Sequence, residues 1–230
     1  MATFIELISD NSKLTSDQVE HLEQLVAEWR LLADLSFADL VLWLPIRKDE
    51  KSWPDGYIAI AQIRPTTAAT VFSNDLIGST IDWGIRPKID QALSEGEIVR
   101  DTAPELVGEI MIKEESVPVI FEGKTLAVIS RHRNADLMRL PSKLELNYRE
   151  IAHKIFRMVA EGSFPIRNSI YNSESTPRVG DGLIRLDANG IIFFASPNAR
   201  SALSRVGYQS EIEKQNLGEV FASLAKGNTQ

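Results

Sequence analysis

The chain has 230 residues, no cysteine and a formal net charge of −7, with 43% hydrophobic and 25% charged residues. This balance belongs to an ordinary globular protein of one large or two small domains, and the negative charge argues against a general nucleic-acid or anionic-membrane surface. Disulfides, thiolate metal sites and cysteine-linked chromophores are excluded, and the longest apolar run, Leu40 to Leu44, is too short to cross a bilayer.

The opening MATFIELISDNSK carries acids and no basic stretch ahead of its apolar residues, which argues against a signal peptide and for a cytoplasmic protein. Thr15-Ser16-Asp17-Gln18 has the form of a capping box. Val19, Leu22, Val26, Trp29 and Ala33 then recur at helical spacing, predicting one helix through Leu35. Leu40 to Ile46 is apolar throughout and predicts a central strand. After the polar turn RKDEKSWPDG, Tyr57 to Ile63 predicts a second strand antiparallel to it. Arg64-Pro65 ends that strand, because the residue before proline is pushed from helical geometry and Pro65 has no donor. Ala69 to Phe72 is read as a further short strand.

Arg86 to Ser94 predicts a helix with Pro87 in its first turn and Gly96 as its stop. Ile98 to Arg100 is short and extended. Between Ser116 and His132, two apolar runs flank Glu122-Gly123, the signal of a tight hairpin, since glycine accepts the positive φ such a turn needs. A two-residue turn there sets Val119 opposite Leu126 and Val117 opposite Val128. Pro118 cannot donate to a ladder, so its side of the strand is expected to be an edge or a bulge. Pro141-Ser142 opens a helix to about Glu161, with Leu144, Tyr148, Ile151, Ile155, Met158 and Val159 on one apolar stripe and Gly162 ending it.

Residues 162–178, with two prolines and four serines, read as a linker. A second module comes next: Gly182 to Asp187, a turn at Ala188-Asn189-Gly190, Ile191 to Ala195, and a helix from Ala199 capped at Ser196-Pro197-Asn198. Ile184 and Leu186 are expected on one face of its first strand, with Ile192 and Phe194 as the matching row on the second. An isolated hairpin with one or two helices is marginal in water.

The chemistry-bearing residues are sparse. Three scattered histidines without cysteine give no zinc spacing, so no metal site is expected. His21 and His153 fall on predicted helices, where surface or packing roles are the plain reading. His132, in Arg131-His132-Arg133, reads as a solvated strand end that could also meet an anionic ligand. Arg64, Arg86 and Arg100 lie near element ends, where arginine can serve a phosphate-bearing ligand; surface charge is the plainer alternative. Adjacent Glu114 and Glu115 point to opposite faces of a strand and cannot form an acid–base pair. No nucleophile–base constellation can be assembled, and no catalytic residue is expected in this span.

The helix, antiparallel sheet with hairpin, and closing helix over residues 15–160 resemble a GAF domain. VGDGLIRLDANGIIFFASPNARSAL resembles the opening of a PAS domain. Five strings, AEWRLLADLSFADLVLW, RPTTAATVFSNDLIG, RPKIDQALSEGEIVRD, LPSKLELNYREIA and PRVGDGLIRLDANGIIFFASPNA, are similar to the actinobacterial cytosolic sensor histidine kinase family PdtaS. The expected class is therefore α+β: a GAF-like domain over 1–161, a linker over 162–178, and an incomplete PAS-like domain over 179–230.

The resemblance implies the sensory region of a cytosolic, homodimeric two-component kinase that reads an unknown small-molecule signal. Its dimerisation and phosphoacceptor domain and its ATP-binding domain, with ATP and magnesium, lie outside this span. The implied partner is a response regulator of the ANTAR type, with neither nucleic acid nor membrane bound directly. The alternative reading is a stand-alone GAF/PAS ligand-binding or interaction protein without kinase activity.

Overall fold

The computed structural model describes residues 2–49, 52–100, 103–107, 109–135, 140–166 and 178–227, and the chain divides into two compact units, 1–176 and 177–230. The expected linker lies mostly outside the described residues.

The first unit is built on a sheet of seven strands: β1 (Asp39–Ile46), β2 (Gly56–Ile63), β3 (Thr80–Asp82), β4 (Val99–Arg100), β5 (Glu105–Val107), β6 (Ile110–Phe121) and β7 (Lys124–Asn134). Their order is β3-β2-β1-β7-β6-β4, with β5 also paired to β6, and all pairings are antiparallel. Two hairpin-like pairs, β1–β2 and β6–β7, thus meet along a β1–β7 seam. Leu40, Leu42 and Leu44 face one side of β1 and Val41 and Trp43 the other, and all five are buried. A strand covered on both faces reads as a continuous apolar run, and this one does.

Helices cover both faces. On one, α4 (Pro87–Glu95) buries Ile89, Ala92 and Leu93 against Val41, Trp43, Tyr57, Ala59 and Val128. Arg86 caps it without a side-chain bond, and Gly96 ends it at φ 68°. The other face carries α5 (Lys143–Ala160), capped by the Ser142 hydroxyl, which accepts from the Glu145 amide at 3.1 Å. Its buried face comprises Tyr148, Ile151, Ala152, Phe156 and Val159, and it packs on β6 and on α3 (Trp29–Ser36).

Several features depart from the sequence reading. The helix expected through Leu35 is two: α2 (Ser16–Ala27) ends at Glu28, whose φ −86° and ψ 0° turn the chain into α3. The reason is burial. α2 hides a narrow stripe including Leu22 and Leu25, whereas α3 buries six of its eight residues, from Trp29 to Ser36, which one straight helix cannot do. A helix α1 (Phe4–Asn11), with a Thr3–Glu6 capping box, precedes them and packs on β1 and β2.

The strand expected at Ala69 to Phe72 does not form. The Asp39 carboxylate takes the Thr70 hydroxyl at 2.6 Å and the Val71 amide at 2.7 Å, offering the backbone an acceptor that competes with a ladder. Asp34 holds Thr66 in the same way, through its amide at 2.7 Å and its hydroxyl at 2.8 Å.

The hairpin turn is as expected, with Glu122 at φ 49° and Gly123 at φ 77°, both left-handed as a type I′ turn requires. Its register differs. A bulge between Val119 and Ile120 sets Val119 opposite Ala127 and Val117 opposite Ile129, because Leu126 is the extra residue on β7. Pro118 lies beside that bulge, beyond the end of β4, which meets the constraint on its missing donor.

In the second unit, β8 (Ile184–Leu186) and β9 (Ile192–Ala195) pair antiparallel around a turn with Gly190 at φ 77°. Ser196 caps α6 (Pro197–Arg205) through the Ala199 amide at 3.3 Å and also accepts from the Leu183 amide at 2.9 Å. The free edge of β9 is taken by Lys214 and Gln215, and α7 (Leu217–Gly227) comes after them. Ile192, Ala195, Ala199, Leu203, Ile212 and Val220 form its small core. A bulge between Arg185 and Leu186 breaks the expected apolar row and leaves Leu186 exposed.

Gly56 supplies a sharp test of the sheet. A Cβ there would stand 2.2 Å from the Ile81 carbonyl oxygen, a backbone atom that cannot swing aside. Gly56→Ala is expected to detach β3, accelerating amide exchange at residues 80–82 and costing about 1–3 kcal/mol in urea unfolding. In the native chain, amides of 183–195 are expected to exchange faster than those of 117–129. The first group belongs to a two-stranded sheet on a small core, the second to the centre of a seven-stranded one.

Candidate functional site

Polar groups gather on both faces of the sheet, and the alternation of β6 and β7 sorts them. Glu114 and His132 face the α4 side; Glu115 and Arg131 face the α5 side. The two glutamates do point apart, as the strand period requires.

On the α4 side, β1, β7 and β6 set Asp39, His132 and Glu114 in one row across the strands. His132 is 3% exposed. This overturns the reading of a solvated strand end: β7 runs on to Asn134, so the histidine lies inside the sheet, under the loop that Asp39 holds. Its ring packs edge-on against Phe72 with centroids 4.8 Å apart, and its Nε2 lies 2.9 Å from the Ser130 hydroxyl, which also accepts from Trp43 Nε1 at 2.8 Å. Burial, with the nearby charges of Arg86 and Lys88, pushes the His132 pKa down to about 3. Burial pushes Asp39 up from its ordinary value, against the opposing effect of its bonds to Thr70 and Val71 and the charge of Arg64.

Arg86 and Lys88, at the start of α4, pair with Glu114 at 3.5 and 3.8 Å. Asp90 ties α4 to β2 and to the loop before it, accepting from the Tyr57 hydroxyl at 2.9 Å and from the Gly84 amide at 2.9 Å. Burial and this bond hold the Tyr57 phenol well above its ordinary pKa. Trp83 stacks on Tyr57 at 5.8 Å and meets Trp53 edge-on at 4.7 Å. The space under the loop is filled by Phe72, Leu76, Ile81 and Trp83.

The residues singled out by sequence therefore do not converge. Arg64 is spent on the loop, bonding Asp75 at 2.8 Å and the Asn74 carbonyl at 3.1 Å. Arg86 and His132 share the α4 face. Arg100 lies on the opposite face, ion-paired to Glu115, with its Nη2 3.3 Å from His153 Nδ1. His21 is buried against Phe121 with ring centroids 4.8 Å apart, in the packing role expected of it.

Two clefts were not anticipated. One, of about 380 Å³, lies where the α1–α2 connection meets the end of β1 and the β6–β7 turn, and is lined by Lys13, Gln18, Arg47, Asp49, Lys124 and Thr125. The second, of about 180 Å³, opens between β6, β7 and α5 around Arg100, Glu115, Arg131, Arg133 and His153. Its sequence signal is the two-residue spacing of Lys113 and Glu115 on one strand and of Arg131 and Arg133 on the other, which puts all four on one face. Among the described residues no cluster of acids and histidines suits a metal ion, and no helix is long and apolar enough to cross a membrane.

A curled antiparallel sheet with helices on both faces and a closing helix along one of them is the GAF type of sensor fold. The GAF domain model of histidine kinase PdtaS matches residues 4–152. The chain is 38% identical to sensor histidine kinase PdtaS of Mycolicibacterium smegmatis over 228 residues, 97% of this chain and 44% of that protein. It is 38% identical to the Mycobacterium tuberculosis protein of that name over 222 residues, 94% of this chain and 43% of that one. A solved sensor region of a sensor histidine kinase superposes with a TM-score of 0.77 at 33% identity, covering 99% of this chain and 80% of that one. The chain belongs to the PdtaS sensor histidine kinase family and spans less than half the length of these curated relatives.

The buried imidazole gives an acid-stability signature. The unfolded chain takes up a proton at His132 near its ordinary pKa of about 6.5, while the folded chain resists down to about 3. Stability from this residue is therefore full above about pH 6.5 and falls as the pH drops toward 3, by at most about 1.4 kcal/mol per pH unit. Asp39 acts in the opposite sense at the acidic end. His132→Gln is expected to flatten the fall in urea-unfolding free energy between pH 6.5 and 4; an unchanged slope would assign that limb to other groups.

Proposed function

We propose that this chain is the input region of a cytoplasmic two-component histidine kinase, in which the GAF unit senses and the second unit is the opening of a PAS domain. The observation that carries the reading is the whole-chain likeness to a histidine-kinase sensor region, at a TM-score of 0.77 and 99% coverage. The PAS reading rests on the order of β8, a tight turn, β9 and the Ser196-capped α6. In the parent protein, a dimerisation and phosphoacceptor domain and an ATP-binding domain using magnesium–ATP would perform the phosphotransfer. The product acceptor would be a response regulator, in this family's pattern one with an ANTAR RNA-binding output, and the working form a homodimer.

Transmission falls to α5. It spans 18 residues, buries one stripe on β6 and α3, and precedes the second unit in sequence. A signal that alters the sheet shifts how this stripe packs, and so shifts the balance between two arrangements of the domains C-terminal to it. Entry of a small anionic signal on the α4 side would involve Arg64, Arg86 and His132 and would have to displace the Phe72 loop, while Arg100 would serve the α5 side.

The test is a chimera in which residues 1–230 replace the matched region of the Mycolicibacterium smegmatis kinase. Autophosphorylation from labelled ATP is expected in the chimera and not in residues 1–230 alone. Phe156→Ala, a buried large-to-small change costing about 3–5 kcal/mol, is expected to alter the chimera's labelling rate several-fold. Stable label on residues 1–230 alone would refute the reading, as would a chimera indifferent to every change in α5.

A further inference from the structure

The face of the β6–β7 pair that looks toward α5 holds more cations than its carboxylates answer. The register sets Glu115 opposite Arg131 and Lys113 opposite Arg133. Glu115 is 7% exposed and answers two arginines, Arg131 at 2.8 Å and Arg100. Beyond them, Glu145 answers Arg149. Arg133 feels the charges of Glu115 and Glu145, which already answer Arg131, Arg100 and Arg149, and across the pair it faces the cation Lys113. Like charges directly opposite each other weaken an antiparallel pair, and here two face each other at a site that a single Glu or Asp would have relieved.

The local field says the same. Burial lowers the Arg133 pKa from its ordinary value, and the charges of Arg149 and Arg131 lower it further, against the pull of Glu115 and Glu145. Arg131 is lowered by burial against the pull of Glu115. In a chain of net charge −7, this concentration of positive charge is local and specific. It also encloses space: Arg100, Lys113, Arg131, Arg133 and His153, with Glu114 and Glu115, line the cleft of about 180 Å³, four fixed cations to two acids. Arginine can only donate, so the 3.3 Å contact from Arg100 Nη2 makes His153 Nδ1 the acceptor and leaves the imidazole proton on Nε2 as a further donor. The volume is several times a water's share of about 30 Å³ and short of the roughly 300 Å³ at which pockets for larger ligands begin.

We propose that this cleft binds a small phosphoryl oxyanion, as inorganic phosphate or the phosphoryl end of a small metabolite, gripped by Lys113 and Arg133 with Arg100 and Arg131 in the wall. Guanidinium groups match such oxygens with paired N–H donors, and the lysine adds a point charge. Four of the five lining cations and donors belong to the sheet and one, His153, to α5. An occupied cleft therefore fastens the helix to the strands. The site is argued from charge and geometry within the first unit and stands whether or not the kinase reading does.

The test uses residues 1–230, with inorganic phosphate as probe and chloride at matched ionic strength as reference. Phosphate is expected to raise Tm by several degrees with a Kd of about 1 mM or tighter, and sulfate, its isostere, to compete in 31P line broadening. Glycerol 3-phosphate separates the two sources: binding at least ten-fold tighter than phosphate assigns the site to a phosphorylated metabolite, and equal or weaker binding to the free ion. Lys113→Gln with Arg133→Gln removes the repulsion along with the grip. This double variant is expected to match or exceed the native Tm in chloride while losing the phosphate response at least ten-fold. Arg205→Gln, in the second unit, is the control and should keep it. Equal effects of phosphate and chloride on the native chain would overturn the proposal, as would an undiminished phosphate response in the double variant. Should the variant not fold, absence of 31P broadening that sulfate reverses in the native chain overturns it equally.

Discussion

β1 and β7 lie at the middle of the sheet with helices or loops over both faces, and that double burial is the constraint that shapes everything around them. The polar groups buried at the centre of either strand cannot rely on water. Unpaired polar groups there cost about 1–3 kcal/mol each, and the buried side chains Asp39, Trp43, Ser130, His132 and Arg131 each have a specific answer. Asp39 takes an amide and a hydroxyl from the loop above it, Trp43 and His132 share the Ser130 hydroxyl, and Arg131 leans on Glu115 and over the Phe156 ring at 5.3 Å. Each answer also fixes a second element. The Asp39 bonds hold down the loop carrying Phe72, and the Arg131 contacts bring β6 and α5 to the same place. Architecture and candidate sites are consequences of one desolvation problem solved strand by strand.

The two faces solve it differently. The α4 side is closed largely by apolar packing, with Phe72, Leu76, Ile81 and Trp83 over Tyr57 and Trp43, and its buried carboxylates, Asp39 and Asp90, are taken up by hydrogen bonds from the loops and from Tyr57. The α5 side keeps charge inside, where Glu115 is shared by two arginines and further cations stand beside a cleft. One face is thus a finished core. The other is a packed interface with an electrostatic remainder, and it is the face that bears the closing helix.

Local signals in the sequence were legible where the chain's own periodicity decides the outcome. The apolar run of β1, the Glu122-Gly123 turn, the Pro87 start of α4 and the Ser142 start of α5 all form within a residue or two of expectation. Features decided by distant partners were not. The fate of Ala69 to Phe72 depended on Asp39, some thirty residues away, and the burial of His132 on a loop that the histidine itself cannot announce. The hairpin register turned on one extra residue, Leu126, which a two-fold alternation cannot see. For α1 a signal existed, since Thr3 and Glu6 have capping-box spacing. For the cation cleft, the alternating Lys113, Glu115, Arg131 and Arg133 already shared a face once the hairpin was recognised. The family resemblance carried what these patterns could not, the assignment to sensor kinases.

The seam between β1 and β7 has a consequence for how the chain reaches this state. Trp43 and Ser130, joined across it, are 87 residues apart, whereas β6 and β7 are separated by two. Closing a loop of that length costs chain entropy that no local contact repays in advance. The β6–β7 hairpin can form in microseconds, but the seam must wait until both strand pairs exist and find each other. Until then β1, apolar on both faces and paired only with β2, has one open edge and no cover. Sequence separation makes the joining of two halves that are each already paired the expected slow step in folding, and the bond between an indole and a serine belongs to that step.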